Sequence, residues 1–279
     1  GQASATICAG ETPPAFTNVA SATGIGEITY QWQARTFGTN FANVTSSATT
    51  QVYTPTTSLS TTTFFRRVAY STYGGKPCEE YSNVIQINIQ APPVTGIQVG
   101  AISAPATLTF CSGVPITFNA TGGGLSFQFY VDGLPVGPRS DSSILTTNTL
   151  AEGSRVSVKS WTTSTATGNG CSSFSPEFFI GFNTNPVISL VSNAYSLTST
   201  NSIFCQGDDI TFTASSTSAI STYTFSLGGV TYQASSTNIF QPSSLTPPIL
   251  VADGASVVVI GETPTGCTAS STILMTENV

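Results

Sequence analysis

The chain has 279 residues, of which 39% are hydrophobic and only 7% charged, and its net charge is −6. Hydrophobic residues run through its whole length, which indicates a folded chain, and Ser, Thr, Asn and Gln must supply most of the surface where charged residues ordinarily make up about a quarter of the total. Arg35, Arg66, Arg67, Lys76, Arg139, Arg155 and Lys159 are scattered apart from one adjacent pair, so nucleic acid and anionic membrane have no electrostatic basis as partners.

In chain order the elements repeat. Cys8-Ala9-Gly10 precedes a short run at Ala15-Phe16-Thr17-Asn18 and an aromatic run at Tyr30-Gln31-Trp32; strands follow over Phe64 to Tyr70 and, after Gly75-Lys76-Pro77-Cys78, over Asn83 to Ile89. Cys111-Ser112-Gly113 starts the series again with Ile116-Thr117-Phe118-Asn119, Phe127-Gln128-Phe129, Arg155 to Trp161, Gly168-Asn169-Gly170-Cys171 and Glu177 to Phe182. A third round has Cys205-Gln206-Gly207, Ile210-Thr211-Phe212-Thr213, Tyr223-Thr224-Phe225, Ser256 to Glu262, Pro264-Thr265-Gly266-Cys267 and Ser270 to Thr276. Alternating runs separated by turn residues, with no helical stripe, make the chain all-β. A period near one third of the length makes it a tandem array of one module.

The columns of the repeat read as strands B, C, F and G of a sandwich, with Phe16, Phe118 and Phe212 inward on B and Trp32, Phe129 and Phe225 inward on C. Asp132-Gly133 and Gly228-Gly229 predict hairpin turns into a strand C′, and Glu152-Gly153 and Asp253-Gly254 are polar corners leading into F. Prolines at Ala91-Pro92-Pro93 and Asn185-Pro186 divide the chain into modules 1–91, 92–184 and 185–279. Links this short predict three antiparallel β-sandwich modules in an elongated rod.

Six cysteines at a repeated spacing, in a chain without His, point to disulfides and an oxidising compartment. Zinc lacks both a CxxC pair and an imidazole. No apolar run approaches the roughly 20 residues that span a bilayer, and the first residues lack the order of an export signal; the chain reads as a mature or excised piece of a longer secreted protein, with no membrane insertion.

No catalytic site emerges. Hydrolase triads need an imidazole or a substitute such as a buried lysine, and the two lysines lie in a turn and on a strand. Asp208-Asp209 and Glu79-Glu80 are carboxylate pairs, yet neighbours on a strand point to opposite faces, so they read as solvated turn residues. Asp132, Asp141, Asp208, Asp209 and Asp253 are oxygen donors of the kind calcium takes, but no DxDxDG-like loop gathers them; no cofactor is expected and calcium is the one ion to look for. Phe37, Phe41 and Tyr73 lie in loop-like sequence, where aromatics hold sugars in some β-modules; capping of the sandwich ends is the preferred reading. Asn43-Val44-Thr45 and Asn119-Ala120-Thr121 fit the glycosylation sequon.

The pattern Cys-x-Gly, alternating run, Tyr-x-Trp, then Gly-Cys or Pro-Cys before a final Val/Ile/Thr strand resembles the Ig-like and PKD-like repeats of Bacteroidota cell-surface proteins. Tyr30-Gln31-Trp32-Gln33, Tyr53-Thr54-Pro55, Phe64-Phe65-Arg66-Arg67 and Tyr81-Ser82-Asn83-Val84 carry the resemblance best, and it is nearest to the SprB-like gliding-motility adhesins exported by type IX secretion. It implies an extracellular, cell-surface location, and sequons that carry no glycan. It further implies a non-catalytic segment of an adhesin filament that spaces and presents adhesive surface toward an external surface or polysaccharide. The alternative is an accessory, carbohydrate-binding region of a secreted polysaccharide-degrading enzyme.

Two cysteine schemes remain. One bridge per module would pair Cys8 with Cys78, Cys111 with Cys171 and Cys205 with Cys267. In an Ig sandwich, however, B and F run in the same direction, which puts the first and second cysteines of a module at opposite ends, roughly 20 Å apart, whereas a disulfide needs about 4.4 to 6.8 Å between Cα atoms. The interdomain scheme is therefore adopted: Cys8 with Cys171 and Cys111 with Cys267, leaving Cys78 and Cys205 to partners outside the chain. The intramodular scheme stays open as its alternative.

Overall fold

The computed structural model describes residues 3–17, 20–45, 48–165 and 170–278. Of the expected elements, Asn18 and the Gly168-Asn169 turn lie outside these. Among the described residues there is no α-helix, and strands carry the architecture.

The first third holds β1 (Ala3–Cys8), β2 (Glu27–Thr36), β3 (Ala42–Asn43), β4 (Thr63–Tyr73), β5 (Lys76–Tyr81) and β6 (Ile85–Gln90). The middle third holds β7 (Thr95–Val99), β8 (Ile102–Ser103), β9 (Ala106–Cys111), β10 (Ile116–Gly122), β11 (Ser126–Val131), β12 (Leu134–Ser140), β13 (Ile144–Thr147), β14 (Arg155–Trp161), β15 (Ser172–Phe174) and β16 (Phe178–Asn183). The last third holds β17 (Ile188–Ser192), β18 (Tyr195–Thr198), β19 (Asn201–Phe204), β20 (Phe212–Ser216), β21 (Thr222–Leu227), β22 (Val230–Ser235), β23 (Ile239–Phe240), β24 (Ser256–Glu262) and β25 (Thr268–Glu277). Among the described residues, no ladder joins strands from different thirds. The chain forms two compact units, residues Gly1–Ala106, Thr117–Thr146 and Arg155–Phe178 in one, and Thr107–Ile116, Thr147–Ser154 and Phe179–Val279 in the other.

In the first unit, one sheet has the order β1-β6-β4-β2-β3 with β5 on β4. Along β2, Tyr30, Trp32 and Ala34 alternate with Gln31 and Gln33, and the period of two turns Trp32 into a core with Phe16, Ala48, Phe65 and Ile87. Among the described residues of the run expected as strand B, Phe16 makes one isolated bridge to Tyr53, and Pro13 and Pro14 ahead of it have no N–H with which to extend the pairing upstream. Phe16 is nevertheless buried, its ring 5.5 Å from Trp32 and 5.2 Å from Phe65. Arg67 is buried opposite Trp32 on β4. It is 6% exposed and lies over the Tyr30 ring at 4.3 Å, and its guanidinium donates to the carbonyls of Gln51 (3.1 Å) and Ala20 (2.6 Å).

The same unit contains the sheet β13-β10-β7-β8 and the ladder β12-β11-β14, with β15 on β14. Asp132 and Gly133 take φ of 51° and 78°, the paired positive values of a type I′ turn, and join Val131 to Leu134.

The second unit contains β9 beside β16, the sheet β17-β20-β23 and the sheet β18-β19-β25-β24-β21-β22. Its core gathers Phe212 and Ala214 from β20, Phe225 from β21, Val257 and Val259 from β24, and Ile273 and Met275 from β25. Rings of Phe212, Phe225 and Tyr232 all pack on Phe240, with centroids 5.5 to 6.4 Å apart. Across both units Phe16, Trp32, Phe118, Phe129, Phe212 and Phe225 are all buried.

Among the described residues, β1 runs parallel to β6, and β19 parallel to β25. Each of these leading strands ends at or just before a Cys-x-Gly triplet, so the parallel ladder places that triplet beside the end of the module's last strand.

Candidate functional site

The cysteines occupy two recurring positions. The first is a β-turn: the N–H of Glu11, Val114 and Asp208 donates to the carbonyl of Cys8, Cys111 and Cys205, at 3.0, 3.3 and 3.0 Å. The third residue of each turn, Gly10, Gly113 or Gly207, has φ of 88°, 81° or 89°, which a side chain would strain. In two of the turns a carboxylate returns the bond, Glu11 Oε2 accepting from the Cys8 N–H and Asp208 Oδ2 from the Cys205 N–H. The first two turns are fastened to the final strand of their thirds, the Ala9 N–H donating to the Gln90 carbonyl and the Ser112 N–H to Asn183; in the last third the Asn278 N–H donates to the carbonyl of Phe204, the residue just ahead of the turn.

The second position lies on the hairpin after strand F. In register, Trp32 faces Arg67, Phe129 faces Val158 and Phe225 faces Val259. Moving from 67 to 71, 158 to 162 and 259 to 263 reaches Ser71, Thr162 and Thr263, and each sits opposite a cysteine. Ser71 pairs with Cys78, while Thr162 and Thr263 donate backbone N–H groups to the carbonyls of Cys171 and Cys267 at 2.8 and 2.9 Å. The Thr162 and Thr263 hydroxyls accept the N–H of those two cysteines, both at 3.0 Å. The backbone at Gly170 passes close to Thr162, since a Cβ there would meet Thr162 Oγ1 at 2.6 Å.

The structure joins the two positions across consecutive thirds. Cys8 is bonded to Cys171 and Cys111 to Cys267, each pair with Cα atoms 5.4 Å apart, inside the range that a disulfide takes. The intramodular pairs are not formed, and Cys78 and Cys205 are exposed free thiols. The repeated strand ends bring these groups together, and one signal for the leading strands stood in the sequence: Ala3–Cys8 and Ala106–Cys111 both alternate, and both end on the cysteine.

The aspartates serve as backbone clasps. Asp132 accepts from the N–H of Arg155, Asp141 from Thr165, and Asp253 from Glu277, at 2.8, 2.8 and 2.9 Å. Glu152 at the equivalent corner of the middle third accepts the N–H of Phe182. Asp209 accepts from Ser243 and Gln241, which hold its carboxyl below the usual range despite a small opposing effect of burial. Among the described residues, no three His, Cys, Asp or Glu side chains gather as metal ligands. Glu79 accepts the Tyr81 hydroxyl at 2.7 Å, and this bond pushes the Tyr81 phenol up.

The aromatics of the first third take three different settings. Phe41 lies under two guanidiniums, Arg66 at 4.1 Å and Arg35 at 5.2 Å, and Arg66 also covers Tyr81 at 3.9 Å. Phe37 is 87% exposed beside Phe64. Tyr73 stands on the rim of a recess that contains Cys78. Of the sequon asparagines, Asn43 accepts from Gln33 and Asn119 pairs with Gln98 in a ladder. Among the described residues no helix is long and apolar enough to cross a membrane.

Residues 1–91 match a family described as a domain of unknown function (DUF8696). No curated protein matches the chain. Among solved structures, the fibronectin(III)-like modules of Clostridium thermocellum CbhA are 16% identical, with 65% of this chain and 94% of that one covered and a TM-score of 0.33. Mouse cadherin-23 EC22-24 is 11% identical, with 99% and 96% covered and a TM-score of 0.34. Sidekick-1 immunoglobulin domains 1-5 are 12% identical, with 99% and 57% covered and a TM-score of 0.31.

Proposed function

We propose that this chain is a non-catalytic run of three tandem Ig-like β-modules, 1–91, 92–184 and 185–279, in an extracellular adhesin filament of a bacterial cell surface. In this reading the modules space and present surface toward an external polysaccharide or solid surface, as in gliding motility after type IX secretion. The observation that carries it is the pair of disulfides that tie each third to the next at matching positions. A linker of a few residues is ordinarily a free hinge; a covalent tie beside it makes consecutive modules bear load together. The oxidising compartment that such bonds need lies outside the reducing cytosol.

The test is binding and display. The purified chain is applied to a glycan array and to abiotic surfaces, and antibody against it is applied to intact cells of its source. Surface labelling together with retention on at least one of the arrays supports the adhesive reading. Absence of surface label, or hydrolysis of any polysaccharide presented, overturns it.

A further inference from the structure

The two free cysteines are not equivalent to each other. Cys205 occupies the turn position held by Cys8 and Cys111, closed by the same bond from the residue three along, and Phe204 just ahead of it accepts from the Asn278 N–H at the end of the last strand. Cys78 occupies the hairpin position held by Cys171 and Cys267, opposite Ser71, the residue four beyond the strand-F partner of the core aromatic. Both bridges in the chain join one position of each type, and neither joins two of a kind.

The surroundings of the free thiols differ from those of the bonded ones as an uncovered contact differs from a covered one. Cys171 and Cys267 are 2% and 0% exposed, whereas Cys78 is exposed. Beside Cys78 lies a recess of ≈ 500 Å³ whose apolar wall is Ile25, Ile28, Tyr70 and Tyr73 and whose rim carries Lys76, Glu79 and Glu80. Ile25 and Tyr73 on its rim are 74% and 69% exposed, an outlay of apolar surface that burial would reverse. Cys205 borders a second recess, ≈ 440 Å³, with Tyr195, Ile203 and Phe204.

We propose that Cys205 and Cys78 are complementary halves of a third bridge of the same kind, each taking the opposite position of another module of this type, and that two copies of this chain join head to tail through them. The step is a two-electron oxidation: the two thiols lose two protons and two electrons, forming one S–S bond, to a disulfide oxidant such as oxidised glutathione, which leaves as two thiols. The inference rests on the tandem-module reading. Its test uses purified protein and reads only which sulfurs pair, so it fails independently of any adhesive activity.

Two variants, Cys78→Ser and Cys205→Ser, each keep one free thiol and both existing bridges. They are mixed in equal amounts, oxidised with glutathione disulfide, and resolved by non-reducing electrophoresis and peptide mapping. The expected product is the mixed dimer linked Cys205 to Cys78, about tenfold over either same-variant dimer, the ratio that roughly 1.4 kcal/mol of facial complementarity produces. Tyr73→Ser in the Cys205→Ser background should lower that excess while leaving the rate of glutathione capture at Cys78 unchanged. Same-variant dimers as abundant as the mixed one, or monomers that end only as glutathione adducts, overturn the proposal.

Discussion

The Sγ of Cys171 lies 3.6 Å from the carbonyl oxygen of Gln90, the residue that pairs with Cys8 at the end of the parallel β1–β6 ladder. Cys267 repeats this against Asn183, at 4.0 Å. In both cases the incoming sulfur reaches the end of a final strand where the turn cysteine is already fastened, so the bridge geometry follows from the strand register. Digestion without reduction should therefore release linked peptides containing Cys8 with Cys171 and Cys111 with Cys267. Recovery of Cys111 with Cys171 would refute this arrangement.

Replacing Cys8 and Cys171 together by Ser should lower resistance to denaturant. The bridge spans 163 residues, and chain entropy sets an upper value of about 5 kcal/mol for a loop of that size. The measurement is the denaturant midpoint of the variant beside that of the oxidised parent chain, and the variant should unfold at the lower midpoint while keeping the Cys111–Cys267 bridge.

Trp32, Phe129 and Phe225 hold one column of the repeat, and each is buried. Truncation to Ala should cost about 3 to 5 kcal/mol at each place, through lost burial and the cavity left behind. Denaturant unfolding of the three variants checks this, and a change below about 1 kcal/mol at any of them would contradict the shared column.

Arg67 is the exception within its own column, since Val158 and Val259 stand where it does. Arg67→Ala removes the donors to the Gln51 and Ala20 carbonyls and should cost about 2 to 4 kcal/mol. Arg67→Lys should recover little of that, because an ammonium lacks the planar fork that reaches both loops. Thermal unfolding of the two variants gives the comparison.

The Asp209 carboxyl is held below the usual range by the Ser243 hydroxyl and then by Gln241. A depressed folded-state pKa contributes stability above the ordinary carboxylate pKa, and that contribution disappears as pH falls through the lowered value. Asp209→Asn should flatten this acid dependence of the unfolding midpoint. For Tyr81 the sign is opposite: its raised pKa contributes stability below the ordinary phenol value, which is lost as pH rises through the raised one. A spectroscopic titration in alkali should show Tyr81 ionising late in the parent and earlier in Glu79→Gln.

The turns and the aromatic columns were legible in the sequence because they rest on local constraints. Asp132-Gly133 permits two positive φ values in succession, and Phe129 and Trp32 sit at alternate positions in runs that can bury one face only. Phe16 shows where that reasoning stops: its burial was readable, but its backbone makes a single bridge, to Tyr53, where a strand was expected. The partners of Asp132, Asp141 and Asp253 were not readable either. A carboxylate's choice between an ion and a distant N–H depends on strands brought close by the fold, and composition carries no trace of that choice. The positions of the cysteines were visible, and their partners followed only when strand direction was considered alongside spacing.

The two disulfide loops overlap, because Cys111 lies between Cys8 and Cys171 while Cys171 lies between Cys111 and Cys267. A single hydrolysed peptide bond anywhere from residue 8 to residue 267 therefore leaves both fragments attached to each other through at least one sulfur pair. Two such cuts, one after Lys76 and one within β20, still leave three pieces on one covalent thread. After any one cut between residues 8 and 267 the two pieces therefore come apart only when reduction accompanies cleavage.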